Sequence, residues 1–452
     1  AYTVTFRSDS AESGEGSSRT SPRLKVKVNR ENAFIKLGSV VEVSANNSKN
    51  NFLQTINEDF QKANFVNFAP NSLYSIARKI SFQKGNEISG EVERINYKQF
   101  VNDNLRESKI ENFDINDSTG AFLLSNGAEK IAVSRWISPK RTRSYPYERV
   151  YDTLAYPKRI TVIPVLKDEG LGGERDFLAW DTISLMSLLD VFVVPAYYSD
   201  ATKNAKRADQ ITAQKLDNDY VSSKLKEISA FKGTPREWNE KESKNLKSVF
   251  ERARDAYREI SKTTKTYLHN ETPLNELIKL AENPNTFAEF SRSKSRRGQS
   301  RELQSIQPKE ALSTDTKGGV TITNLAGGKY FFTCDETRVE GSMLFLIEDK
   351  HSQRAILPSE NDIKDGLLKM IIYTNLKNVR VGKNSVTEKS VLRLTSSKLV
   401  GSVNSDANDE ASAKFFQTNT LNLSQTNLIK KLFQEARENK FTIIVEHAEI
   451  AK

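Results

Sequence analysis

The amino-acid sequence predicts a mixed α/β (α+β) protein, with a mixed sheet flanked by helices, an α+β region before it and a helical insertion. Three observations carry that expectation. The runs Ile160-Thr161-Val162-Ile163-Pro164-Val165-Leu166 and Val191-Phe192-Val193-Val194 read as strands buried on both faces. Leu246, Val249, Phe250, Ala253, Tyr257 and Ile260 recur at helical spacing inside a charged segment. After Pro308, strand patterns alternate with helical ones.

At 452 residues the chain exceeds the size at which a single core stops growing, so several domains are expected. The expected division is an N-terminal α+β region over 1–145, a candidate DNA-recognition domain; an apolar α/β core segment over 146–205; a charged helical region over 206–304; and a catalytic region over 305–452. Residues 8–22 are small and polar and read as a mobile arm. Leu24-Lys25-Val26-Lys27-Val28 alternates as a half-buried strand does, and Phe52 to Phe65 reads as helical. The apolar stretch Asp176 to Asp190 fits a buried helix, with a strand as the alternative. Pro235, Pro273 and Pro284 mark helix boundaries in the charged region. Farther on, strands are expected around Val320 to Ile322, Lys329 to Val339, Met343 to Ile347, Val391 to Leu394 and Phe441 to Val445. Helices are expected near Asn361 to Asn375 and over Thr426 to Arg437.

Composition limits the chemistry. The formal charge of +10, from 68 Lys plus Arg against 58 Asp plus Glu, favours a polyanionic partner without identifying it. One cysteine, Cys334, and three scattered histidines, His269, His351 and His447, exclude disulfides and cysteine-based zinc sites and argue against histidine-metal nucleases and cysteine–histidine hydrolases. Any metal chemistry must therefore use carboxylates. No apolar run is long enough to span a membrane, and Ala1 to Arg7 lack a leader pattern, so a soluble, cytoplasmic protein is expected.

The most informative stretch is Gly328 to Lys350, two strands joined at Gly341-Ser342. Gly at the first central position suits a two-residue type II′ turn. That turn pairs Glu340 with Met343 and, stepping outward, sets Asp335 opposite Glu348. The two-residue period of a strand then puts Lys350 beside Glu348 on the same face. Opposed carboxylates on apolar strands repel, and a divalent cation relieves the repulsion. Asp335, Glu348 and the backbone carbonyl of Asp349 make a hard oxygen donor set suited to Mg2+, with Mn2+ as a substitute. Such an ion activates water and stabilises charge on a phosphodiester, while Lys350 orients the water or steadies the developing charge. The bland alternative is a surface hairpin with a cross-strand ion pair worth about 0.2–1 kcal/mol. It leaves unexplained why Leu344 and Leu346 share a face with Glu348 and Lys350.

Asp335 followed by Glu348-Asp349-Lys350 on the next strand resembles the PD-(D/E)XK nucleases, specifically type II restriction endonucleases. Leu357 to Met370 and Trp180 to Asp190 are similar to segments of a restriction-enzyme group. Cys334 stands where the name-giving motif has Pro. The resemblance implies a PD-(D/E)XK restriction-endonuclease-like core and Mg2+-dependent, sequence-specific hydrolysis of double-stranded DNA within a restriction-modification system. It implies Asp335, Glu348 and Lys350 as catalytic residues and a homodimer as the cutting form. It also makes Glu302 and Glu310 candidate accessory carboxylates. In the following helix Ser359 is the expected N-cap, Ile363, Leu367, Met370, Ile371 and Thr374 the face packed on the sheet, and Lys364 and Lys369 either face phosphate or are solvated.

Two basic clusters are candidate DNA contacts. Arg292, Lys294, Arg296, Arg297 and Arg301 lie among hydroxyls without a carboxylate, and Lys140, Arg141 and Arg143 lie near aromatics. Each reads equally well as a solvated basic segment. Asp168, Glu169, Glu174, Asp176, Asp181 and Asp190 form a rival carboxylate set, in which Asp176 and Asp181 read as caps or surface groups. Two other functions stay open: a structure-selective repair nuclease or resolvase on the same core, and a DNA-binding module whose nuclease hairpin is inactive.

Overall fold

A computed structural model describes residues 2–6, 24–28, 42–45, 87–101, 105–117, 120–127, 129–136, 147–303, 316–324 and 328–449. The chain divides into two compact units, 1–84 and 85–452. In the first, β1 (Tyr2–Phe6), β2 (Leu24–Val28) and β3 (Glu42–Ala45) form an antiparallel sheet in that order, with the alternating Leu24–Val28 segment in the middle. The expected arm over 8–22 and helix over 52–65 lie outside the described residues.

The second unit opens with β4 (Glu87–Val92), β5 (Glu107–Lys109), β6 (Ala121–Asn126) and β7 (Glu129–Arg135). Then come α1 (Tyr147–Thr153), β8 (Lys158–Pro164), β9 (Leu166–Asp168) and β10 (Arg175–Phe177). The apolar stretch before Asp190 is a helix, α2 (Trp180–Leu188), followed by β11 (Phe192–Ala196), β12 (Tyr198–Lys203) and β13 (Ile211–Leu216). A five-stranded sheet runs β11-β8-β7-β6-β5, with β8 parallel to β11 and β7. All five residues of β11 are buried, as expected for a continuous apolar run covered on both faces.

The charged region is mainly helical: α3 (Asn218–Ala230), α4 (Pro235–Lys244), α5 (Leu246–Thr264), α6 (Thr272–Leu280) and α7 (Pro284–Leu303). Pro235, Pro273 and Pro284 fall at helix starts, where a missing N–H leaves nothing unpaired. The six-residue apolar stripe of α5 is wholly buried. α4 seals an edge of the five-stranded sheet. Asn239 accepts the Val193 N–H at 2.7 Å and donates to the Val191 carbonyl at 2.9 Å, while the Trp238 indole donates to the Val193 carbonyl at 2.9 Å.

The remaining elements are β14 (Thr316–Asn324), β15 (Lys329–Glu340), β16 (Met343–Ser352), α8 (Glu360–Tyr373), β17 (Lys377–Val381), β18 (Asn384–Ser385) and β19 (Thr387–Ser396). β20 (Ser402–Asn404), α9 (Asp409–Thr418), α10 (Leu423–Asn439) and β21 (Thr442–His447) close the described chain. Among the described residues the strands form a nine-stranded mixed sheet ordered β18-β17-β4-β14-β15-β16-β19-β21-β20. β4 pairs with both β14 and β17, so residues 87–92 and the C-terminal region share one sheet. β14, β15 and β16 form an antiparallel meander; β16, β19 and β21 are parallel, with α8 and α10 on the crossovers. Helices flank this sheet, and no described helix is long and apolar enough to cross a membrane.

α8 and α10 cover the face on which Leu344, Leu346, Leu392, Leu394, Ile443 and Val445 are buried, and α1 packs against α8. Glu435 of α10, wholly buried, ties that helix to Tyr151 of α1 and to the segment from Tyr97 to Val101. Its carboxylate accepts from the Tyr97 hydroxyl at 2.7 Å, the Tyr151 hydroxyl at 2.5 Å, and the N–H groups of Phe100 and Val101 at 2.7 and 2.8 Å. Four donors lose their acceptor if this side chain is truncated. Glu435→Ala is expected to destabilise the fold by roughly 3–5 kcal/mol. Urea unfolding measures it, and a loss below about 1 kcal/mol would contradict this role for the carboxylate.

Candidate active site

The hairpin has the register expected from its turn. Glu340 pairs with Met343 and the ladder continues to Glu336 opposite Ile347, so the next position outward sets Asp335 opposite Glu348. Of the two central turn residues only Gly341 has positive φ, at +60°, as a type II′ turn requires. Beyond the last ladder pair the Asp335 side chain takes over: Oδ2 accepts the Asp349 N–H at 3.1 Å. Asp335, Glu348 and Lys350 therefore converge.

Two further residues join them from α8. Lys350 Nζ lies 3.1 Å from Glu348 Oε1 and 2.7 Å from Asp365 Oδ2. Lys369 Nζ donates to both Glu348 oxygens at 2.8 Å and to the Thr333 carbonyl at 3.3 Å. α8 reaches this close to β16 at Gly366: a Cβ there would stand 2.6 Å from Leu392 Cδ1 and 3.3 Å from Lys350 Cε. Ser359 caps the helix, its hydroxyl accepting the Asp362 N–H at 3.2 Å.

Glu348 is 1% exposed. Burial, and next the negative charge of Asp335, push its pKa above the ordinary glutamate value despite the two lysines. Burial alone would lower the pKa of Lys350, but Glu348 and Asp365 outweigh it and hold the group above the ordinary lysine value. The same holds for Lys369, where Glu348, Asp335 and Asp365 outweigh desolvation. Both side chains are ammonium ions at neutral pH. Cys334, buried behind the carboxylates, is a thiol whose pKa is raised by burial and by Glu348 and Asp335.

The opposite face of β16 carries a second ion cluster. Asp349 receives a two-pronged contact from Arg393 of β19, Nε to Oδ1 and Nη2 to Oδ2, both at 2.7 Å, and Nη2 also bonds Glu336. Asp349 and Arg393 are cross-strand partners in the parallel ladder, so the fork locks the residue between Glu348 and Lys350 to its neighbouring strand.

Several expectations are corrected. Lys364 and Lys369 are ion-paired and not solvated: Lys364 is 1% exposed and pairs with Asp152 at 2.8 Å and Glu360 at 3.2 Å, and Lys369 pairs with Glu348 at 2.8 Å. Asp181 is neither a cap nor a surface group. It is buried in the first turn of α2, whose N-cap is Ala179. Asp365 and Arg393 were missed. The available signal was helical arithmetic, since Asp365 and Lys369 are four residues apart with Gly366 beside them.

The basic run Arg292–Arg297 lies in α7, so its cations point around a helix. Arg292 Nε is 3.4 Å from Asp181 Oδ1, Lys294 stands over the rings of Phe177 and Phe290, Arg296 over Phe331, and Arg297 donates to the Ser293 carbonyl at 3.2 Å. The side chains of Arg301 and Glu302, and the residues Glu310, Lys140, Arg141 and Arg143, lie outside the described residues. Of the rival carboxylates, Asp168 is engaged by His269 Nδ1 at 2.8 Å and Arg175 Nε at 3.4 Å. Among the described residues no group of three or more His, Cys, Asp or Glu side chains converges as a metal cage. The oxygen donors that the hairpin itself offers a cation are Asp335, Glu348 and the Asp349 backbone carbonyl. That set fits a hard, partly hydrated ion: all donors are oxygen, and the opposed carboxylates repel each other.

Comparisons with family models, with curated proteins and with solved structures gave no match.

Burial raises the pKa of Asp181 to about 6, against the counteracting charge of Arg292, and its Oδ2 has no hydrogen-bond partner among the described residues. A carboxyl that binds its proton more tightly when folded contributes stability below its unfolded pKa, near 3.8, and loses it as pH rises through about 6. Asp181→Asn removes that loss. The variant is expected to match the parent below the window and to exceed its stability by roughly 1–3 kcal/mol at pH 7–8. Urea unfolding across pH 4–8 tests this, and parallel profiles would refute it.

Proposed function

We propose that the chain is a Mg2+-dependent, site-specific deoxyribonuclease of the type II restriction class, built on a PD-(D/E)XK-like core. One observation carries the reading: the Gly341-Ser342 turn sets a register in which two carboxylates from adjacent strands meet a lysine that follows one of them by two residues. The meander, the α8 crossover and the parallel strand β19 hold that constellation on rigid elements. The net positive charge suits a polyanion.

Asp335, Glu348 and the Asp349 carbonyl would hold the divalent cation, which supplies Lewis-acid charge at the phosphodiester and lowers the pKa of a water. Glu348 and Asp365 keep Lys350 protonated, so its part is to donate hydrogen bonds and stabilise developing negative charge, not to abstract a proton. Asp335 is half-buried and therefore the carboxylate nearer to solvent. Arg393 fixes Asp349, and with it the backbone oxygen, from behind. Cations of α7 are candidate phosphate contacts, and symmetric double-strand cutting would use two copies of the chain.

Purified chain incubated with plasmid and Mg2+ is expected to yield discrete fragments. Asp335→Ala and Lys350→Ala should each slow cleavage by roughly 10²–10³-fold or more while retaining DNA affinity. Full cutting by either variant removes this site, and random nicking alone removes the sequence specificity. A second reading, a DNA-binding module with an inactive hairpin, draws on the contact of Lys369 with both Glu348 oxygens. DNA binding without metal-dependent cleavage is its signature.

A further inference from the structure

We propose that Lys369 is the resident counter-ion of Glu348 and that a divalent cation binds by displacing its ammonium toward Asp365. The proposal rests on the reading that Asp335 and Glu348 hold a metal, and it adds a competitor built into the chain.

The geometry around Nζ is that of a filled cation site. An ammonium has three donors, and Lys369 faces three acceptors: the two Glu348 oxygens at 2.8 Å each and the Thr333 carbonyl at 3.3 Å. Glu348 Oε1 also takes Lys350 at 3.1 Å, so its two lone pairs are both engaged. A cation ligated through Glu348 must therefore evict a lysine or accept a single lone pair on Oε2. Lys350 is the harder of the two to move, because Asp365 holds it from the other side at 2.7 Å.

Charge leads to the same competition. Asp335, Glu348 and Asp365 with Lys350 and Lys369 leave one negative charge in the cluster. A divalent ion added on Glu348 with Lys369 in place would stand next to an ammonium bonded to the same oxygens, in a largely buried site where screening is weak. Asp365 offers the displaced ammonium a partner, since it lies four residues earlier on the same helix and already interacts electrostatically with Lys369. Lys369 thus acts through Glu348: it keeps the buried carboxylate compensated until metal arrives and sets the affinity at which metal enters.

The test is direct Mn2+ titration of the full chain by electron paramagnetic resonance, without DNA, comparing the parent with Lys369→Met. Removing the competitor is expected to tighten Mn2+ binding by at least about tenfold, and Glu348→Gln is expected to abolish binding. Affinity unchanged or weakened in Lys369→Met overturns the competition and leaves the metal site standing. Absence of Mn2+ binding in parent and variant alike overturns the metal reading and this inference with it. Lys369→Gln, which keeps a donor for the Thr333 carbonyl, is the second variant should Lys369→Met fail to fold, and the same rise is expected of it.

Discussion

The site depends on keeping the Glu348 carboxylate charged while it is almost wholly out of water. An isolated buried carboxylate carries a desolvation penalty of several kcal/mol and protonates instead. Here two ammonium groups reduce that penalty without cancelling it, and each imposes a demand on the fold. Lys350 must follow Glu348 by two residues on the same strand, and Lys369 must descend from a helix packed directly over that strand. Gly366 meets the second demand, because a side chain there would collide with Leu392 and press on Lys350. The crossover from β16 through α8 to β19 is thus the part of the architecture that the charge cluster cannot do without.

Local chemistry made some of this legible in the sequence. A two-residue turn with Gly first fixes strand pairing, and pairing fixes which residues face each other, so Asp335, Glu348 and Lys350 could be brought together by counting. The α5 stripe and the prolines at helix starts were readable for the same reason: helix periodicity and the missing proline N–H act within a few residues. The strand and helix patterns after Pro308 were equally local.

What escaped was set by tertiary contact. Nothing near Lys369 in sequence says that it will meet Glu348, and a lysine on an amphipathic helix is usually solvated. Arg393 reaches Asp349 because two parallel strands align 44 residues apart, a register that no turn dictates. Asp181 looked like a surface carboxylate because the surface that covers it comes from α7 and from the start of β15. The basic run was read by composition, and composition does not reveal that a helix would scatter its cations, one onto Asp181 and others over aromatic rings.

β16 is held differently from each face, and that arrangement bears on the proposed catalysis. Glu348 and Lys350 point toward α8, where Lys369 and Asp365 of one helix are their partners. Asp349, between them, points the other way into the Arg393 fork, whose planar geometry leaves little freedom. The backbone that carries Glu348 and Lys350 is therefore fixed from behind, while their charged ends meet Asp365 and Lys369 in front. A one-residue slip of β16 would exchange the two faces, burying Asp349 against Lys369 and turning Glu348 toward Arg393, and would leave Leu344 and Leu346 on the wrong side of the sheet. Correct packing of the apolar residues and correct assembly of the charge cluster are the same register choice, so the fold cannot satisfy one without the other.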